Sequence, residues 1–172
     1  MTGLGVNVDF ALYPWFVPGT AISIVVALLL AQRMAQRLGS TRATAFILLA
    51  SLGAIVAVTL TPGRGLSAHP VGCDMGRLGP AAFDEYLAGN DTTFNVLLFV
   101  PLGFALAVLP GSTLKLGLLA AAILLPFAIE TVQLIAMPLG RACQSADVVD
   151  NLSGLALGAA TGIASAALWR RF

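Results

Sequence analysis

Five long stretches of the chain are almost free of charge, and short clusters of charged and turn residues separate them. Residues 10–31, 43–63, 92–114 and 152–169 contain no charged side chain, and residues 116–140 contain only Glu130. Each stretch is close to the roughly 20 residues with which an α-helix crosses a hydrocarbon layer of about 30 Å. The runs are continuously apolar and lack alternation with period 2, so they do not read as strands of a membrane barrel. The pattern predicts one all-α domain over residues 1–172, a polytopic membrane bundle of about five transmembrane helices. "YPWFVPG" opens the first stretch as an interfacial lead-in that shortens it. No basic residue precedes that stretch, so it reads as a retained span and not as a cleaved signal peptide. The one sizeable loop, residues 61–91, carries the breakers "TPGRG", "HPVG" and "RLGP", with one short amphipathic turn expected in "AAFDEYLAG".

Composition agrees with the pattern. Hydrophobic residues make up 58% of the 172 and charged residues 10%, against roughly 25% charged in a typical soluble domain. So few charges do not cover a water-facing surface, and lipid must meet much of it. The formal net charge of +1 leaves no basic stripe for phosphates, which excludes nucleic acid as a partner.

Charge also predicts direction. Arg33, Arg37, Arg42, Lys115, Arg170 and Arg171 fall on one side of the expected bundle; Arg64, Arg77 and Arg141 fall on the other. The excess of basic residues marks the cytoplasmic side, which places the N-terminus outside and the C-terminus inside. All eight acidic residues, Asp9, Asp74, Asp84, Glu85, Asp91, Glu130, Asp147 and Asp150, lie on the outer side or in the outer half of a span. Acidic residues contribute little to orientation, so this asymmetry is a separate observation and points to polar function at the outer face.

The stretch "AIETVQLIAMPLGRACQSADVVDNLSGLALG" concentrates the candidate chemistry. Glu130 lies inside a span, where a carboxyl needs a partner, a proton or a wet cavity. Gln133, three residues on, shares its helix face and is one candidate partner. Asn95 opens the third span as a cap or as a ligand group, and Pro101 interrupts that helix's hydrogen bonding. Asp147, Asp150 and Asn151 share one face of the last span. Asp147 alone is explained by capping, whereas Asp150 and Asn151 lie too far in. Gly154, Gly158 and Gly162 form a small-residue stripe for close helix packing, which turns the face bearing Asp150 and Asn151 into the bundle. Arg141 is suited either to an ion pair with Asp147 or Asp150 or to an anionic ligand group. Cys73 and Cys143 both fall on the outer side, where disulfides persist, and are candidates for a bridge holding the loop over the cluster. His69 reads as a loop residue. No metal-ligand set, phosphate-cradling glycine loop or Ser–His pair is present, and no cofactor is expected.

Taken in order, "NVLLFVPLGF", "IETVQL", the single arginine of the "PLGRACQ" link and "DVVDNLSGLALG" resemble the VanZ-like family of bacterial membrane proteins. The resemblance spans residues 61–158. It implies a multi-pass protein of the bacterial cytoplasmic membrane whose signature polar positions are Asn95, Glu130, Gln133, Arg141, Asp147, Asp150 and Asn151. Cys73 and Cys143 are not part of that pattern. It also implies a cell-envelope setting, with a role like that in glycopeptide (teicoplanin) resistance, but no reaction.

Three functions follow as expectations. The first is an outer-leaflet site that binds a membrane lipid, a lipid-linked envelope precursor or a lipoglycopeptide. There Arg141 would meet an anionic group, Asp147 and Asp150 would orient it or accept hydrogen bonds, and Asn95, Gln133 and Asn151 would read the polar part. The second is a membrane hydrolase or transferase with Glu130 and Asp150 as its acid–base pair, although no activated nucleophile is visible. The third is a module that docks a membrane protein partner on the glycine stripe. Transport is disfavoured, since neither inverted repeats nor paired broken helices are present.

Overall fold

The computed structural model describes residues 15–62, 72–136 and 139–169. Arg64, His69, Arg170 and Arg171 lie outside the described residues, as does the start of the first predicted span. Among the described residues the protein is all-helical, and five helices are long and apolar enough to cross a membrane.

Local chemistry sets the helix bounds. Helix α1 (Phe16–Leu38) runs seven residues past the first uncharged stretch and includes Arg33 and Arg37. Long basic side chains can lift their charge out of the apolar layer, so charge marks the end of a helix poorly. Gly39 stops it in the left-handed region at φ 59°, where the Ser40 N–H closes onto the Ala35 carbonyl at 3.0 Å. Helix α2 (Arg42–Thr59) starts at Thr41, whose hydroxyl accepts from the Thr44 N–H. The short α3 (Phe83–Leu87) is the turn expected within the loop. Helix α4 (Asp91–Val108) is capped by Asn90 and α5 (Thr113–Ile135) by Ser112, each accepting from the backbone N–H three residues on. Helix α6 (Ser145–Trp169) is the longest.

Two kinds of packing hold the bundle. Phe99, Leu102, Leu106, Ile55 and Ile129 form a buried core shared by α2, α4 and α5, with Leu155 from α6. The second is a glycine seam between α4 and α6. A Cβ on Gly154 would strike the Val96 carbonyl oxygen, one on Gly158 that of Val100, and one on Gly103 that of Leu155. At Gly162 it would lie 2.7 Å from the Ala107 Cβ. The stripe therefore brings two backbones of this chain together, which is the packing that small residues permit in lipid. It is occupied by α4, so it is not an open face for a partner. Helix α1 rests on α2 through Ala27, Ala31, Ala35 and Ala45 and exposes Val17, Ile22 and Leu29.

The ends of α2 and α5 and the starts of α4 and α6 meet at one end of the bundle. At the other end the Lys115 ammonium seals the close of α4, donating to the carbonyls of Ala107 and Leu109.

Candidate functional site

At the polar end a stapled segment covers the start of α6. Cys73 and Cys143 form a disulfide across 70 residues of sequence. Around it the Asp74 N–H donates to the Cys143 carbonyl at 2.9 Å, and the Ser145 N–H to the Asp74 carbonyl at 2.8 Å. The Ser145 hydroxyl donates to the Arg77 carbonyl at 2.7 Å. Arg77 itself reaches into the bundle, where its guanidinium donates to Asp150 Oδ2 at 2.6 Å. Donating to the Asp150 carboxylate raises the Arg77 pKa above its already high ordinary value.

The buried end of α2 explains two polar residues. A helix terminus leaves carbonyls without intrahelical donors, and burial makes each one costly. Gln133 Nε2 donates to the Thr59 carbonyl at 3.0 Å, and the Arg141 guanidinium donates to the carbonyls of Val58 and Thr61. Gln133 thus serves α2 and not Glu130.

Glu130 is 5% exposed, and its partner is backbone: Oε2 accepts from the Gln144 N–H at 2.7 Å. With α5 ending at Ile135, Glu130 lies about 7.5 Å along the axis from the helix end, shallower than a span ending near residue 138 would put it. It also lies within 4.8 Å of both disulfide sulfurs; a metal would bind thiolates, and these sulfurs are bonded to each other. Asp147 occupies the first turn of α6 and not the cap, because the Asp74 strap starts the helix at Ser145. Asn95 is in the second turn of α4, since Asn90 takes the capping role, and its amide lies in hydrogen-bonding reach of Asp147. Asp150 and Asn151 are each 1% exposed. Asp150 Oδ1 and Asn151 Oδ1 accept no hydrogen bond from the described residues.

These groups surround a cavity of about 190 Å³. Asn95, Glu130, Gln133, Arg141, Asp147 and Asn151 all line it, contributed by α4, α5, α6 and the link between α5 and α6. Asp150 does not line it and belongs to the Arg77 ion pair behind the wall. Acid–base work by Glu130 with Asp150 therefore lacks its second member at the cavity. The carboxyls that share the cavity wall with Glu130 are Asp91 and Asp147.

Sequence reasoning missed Asp91, Thr59 and Gln144, which also line the cavity, and Arg77, which anchors Asp150. Asp91 read as the edge of a span. For Arg77 the one available signal was that a carboxyl as deep as Asp150 needs a cation.

No curated protein matches the chain, and no solved structure matches it. The sequence model of the VanZ/LLP1 family matches residues 16–168, nearly the whole chain and well beyond the stretch that carries the motifs, and the chain belongs to that family.

Proposed function

We propose that this VanZ-family membrane protein binds the head group of an envelope lipid or lipid-linked precursor from the outer leaflet of the bacterial cytoplasmic membrane. The observation that carries the reading is the cavity itself. Side chains from four membrane-spanning helices converge on it at one end of the bundle, under a strap fixed by a disulfide. Convergent polar groups in a preformed hollow are the usual form of a small-ligand site. The basic excess at the other end supports placing it outside.

Size discriminates among the expected ligands. Drug-sized molecules occupy pockets of roughly 300–1,000 Å³. A hollow of about 190 Å³ suits a head group and is too small for a whole lipoglycopeptide. A contribution to teicoplanin resistance would then run through the lipid and not through capture of the drug.

The test is native mass spectrometry of protein extracted from its own membranes, comparing wild type with Asn95→Leu and Glu130→Gln. Both variants must accumulate at normal levels. The expected result is a defined lipid retained by wild type and depleted in the variants. The same adducts on all three proteins would overturn the reading.

A further inference from the structure

Asp91, Glu130 and Asp147 line the cavity against a single basic side chain, Arg141, so carboxyl groups are in excess at its wall. The Arg141 guanidinium is directed at the carbonyls that close α2. The other cation nearby, Arg77, is bonded to Asp150.

Asn151 adds an observation independent of the acids. It is 1% exposed, it lines the cavity, and its Oδ1 accepts no hydrogen bond from the described residues. A buried acceptor without a donor is costly, and a bound donor would remove that cost. The wall therefore offers acceptors and negative charge, and the complement is a cation that carries N–H groups.

A bare metal ion is a poorer complement. Divalent ions draw their oxygen ligands in to about 2.0–2.6 Å, which a hollow of about 190 Å³ does not impose. Resting on the head-group reading above, we infer that the cavity selects a protonated primary amine. In a lipid this is a phosphoethanolamine or aminoacyl head group; in solution it is a small free amine. Asn151 and the carboxyls of Asp91, Asp147 and Glu130 accept its N–H donors.

The experiment uses the full chain in nanodiscs and measures retained lipid by native mass spectrometry. The discs offer phosphatidylethanolamine, phosphatidylcholine or phosphatidylglycerol at equal fraction, and free ethanolamine and Mg²⁺ are added as competitors. Phosphatidylcholine keeps the positive charge without N–H donors, so it separates charge from hydrogen bonding. The expected result is phosphatidylethanolamine favoured over both other lipids by about tenfold or more, the worth of one charge-assisted hydrogen bond. Asp91→Asn and Asp147→Asn, which keep shape and remove charge, should each reduce the preference, as should Asn151→Leu. Because Asn151 is buried, the exposed Asp91 keeps the test valid if the Leu variant fails to fold. Displacement by ethanolamine at millimolar concentration would assign the site to amines in general, and its failure beside retained phosphatidylethanolamine would assign it to the lipid; both support the inference. Equal or stronger retention of phosphatidylglycerol would overturn the inference while leaving the head-group reading intact. So would displacement by Mg²⁺ alone. Retention of no lipid would bring down the head-group reading itself.

Discussion

Removing Arg77 should damage the protein more than removing the acid it pairs with. Asp150 is 1% exposed, while the Arg77 side chain is 26% exposed. Arg77→Met leaves a carboxyl in the wall of the bundle without its cation and without water. Breaking a buried pair from one side costs about 3–5 kcal/mol. Two features of the contact favour the lower end. One guanidinium nitrogen reaches Asp150 while the other donates to the Gly79 carbonyl, and water already touches the arginine. We expect a loss of about 3 kcal/mol for Arg77→Met. Asp150→Asn keeps an acceptor for Arg77 and leaves the remaining charge on the wetter side, so a loss of about 1 kcal/mol is expected. The double variant should be more stable than Arg77→Met alone, because the stranded charge is gone. Unfolding midpoints in mixed detergent micelles measure all three. The pH dependence has a definite sign. A group whose pKa is raised on folding contributes its full stabilisation below its ordinary pKa and loses it only as pH climbs past the raised one. The gap between wild type and Arg77→Met should thus stay flat from about pH 7 to 10. Equal and additive losses from the two single substitutions would show a solvated surface pair and refute the reasoning.

Other perturbations probe the seam, the strap and the orientation. Gly158→Ala drives a methyl into the Val100 carbonyl and should cost about 3 kcal/mol, whereas Gly117→Ala, which meets nothing within 4 Å, should be neutral or slightly stabilising; the same micelle assay compares them. Reducing the disulfide releases a closure of 70 residues, worth about 4 kcal/mol as chain entropy. Reduced protein should then be cleaved faster by protease within residues 72–82, and unchanged cleavage would mean that the surrounding backbone hydrogen bonds suffice. A green fluorescent protein fused after residue 172 should fluoresce and an alkaline phosphatase there should stay inactive, as a cytoplasmic C-terminus requires; the reverse pattern would invert the assigned sides.

The spans were legible because lipid imposes a coarse rule. Each crossing must satisfy its own backbone in a helix and show apolar side chains outward, so charge-free runs announce themselves. The rule was weakest at α1, where Arg33 and Arg37 lie within the helix and the run ends before the helix does. The glycine spacing on α6 was legible as a close-packed face. Its partner was not, since the matching feature on α4 is the single Gly103 behind Pro101, and a repeat of one has no period.

The polar cluster was legible as a place because membrane depth makes every intramembrane polar residue expensive. Its division of labour was not. Whether a donor serves a ligand or a stranded carbonyl depends on where the neighbouring helix stops. Helix α2 stops at Thr59 in a buried position, which turns Gln133 and Arg141 into its capping groups. Nothing in their own sequence surroundings says so. The same logic tilts the site toward acceptors. Once α2 has drawn on Gln133 and Arg141, the cavity wall keeps three carboxyls, Asp91, Glu130 and Asp147, and Asn151 Oδ1 is a buried acceptor with no donor among the described residues. Arg141 Nη2 is committed to the carbonyls of Val58 and Thr61, which turns that part of the guanidinium toward the close of α2 and away from an anionic ligand. Against three carboxyls on the cavity wall, an amine becomes the better complement.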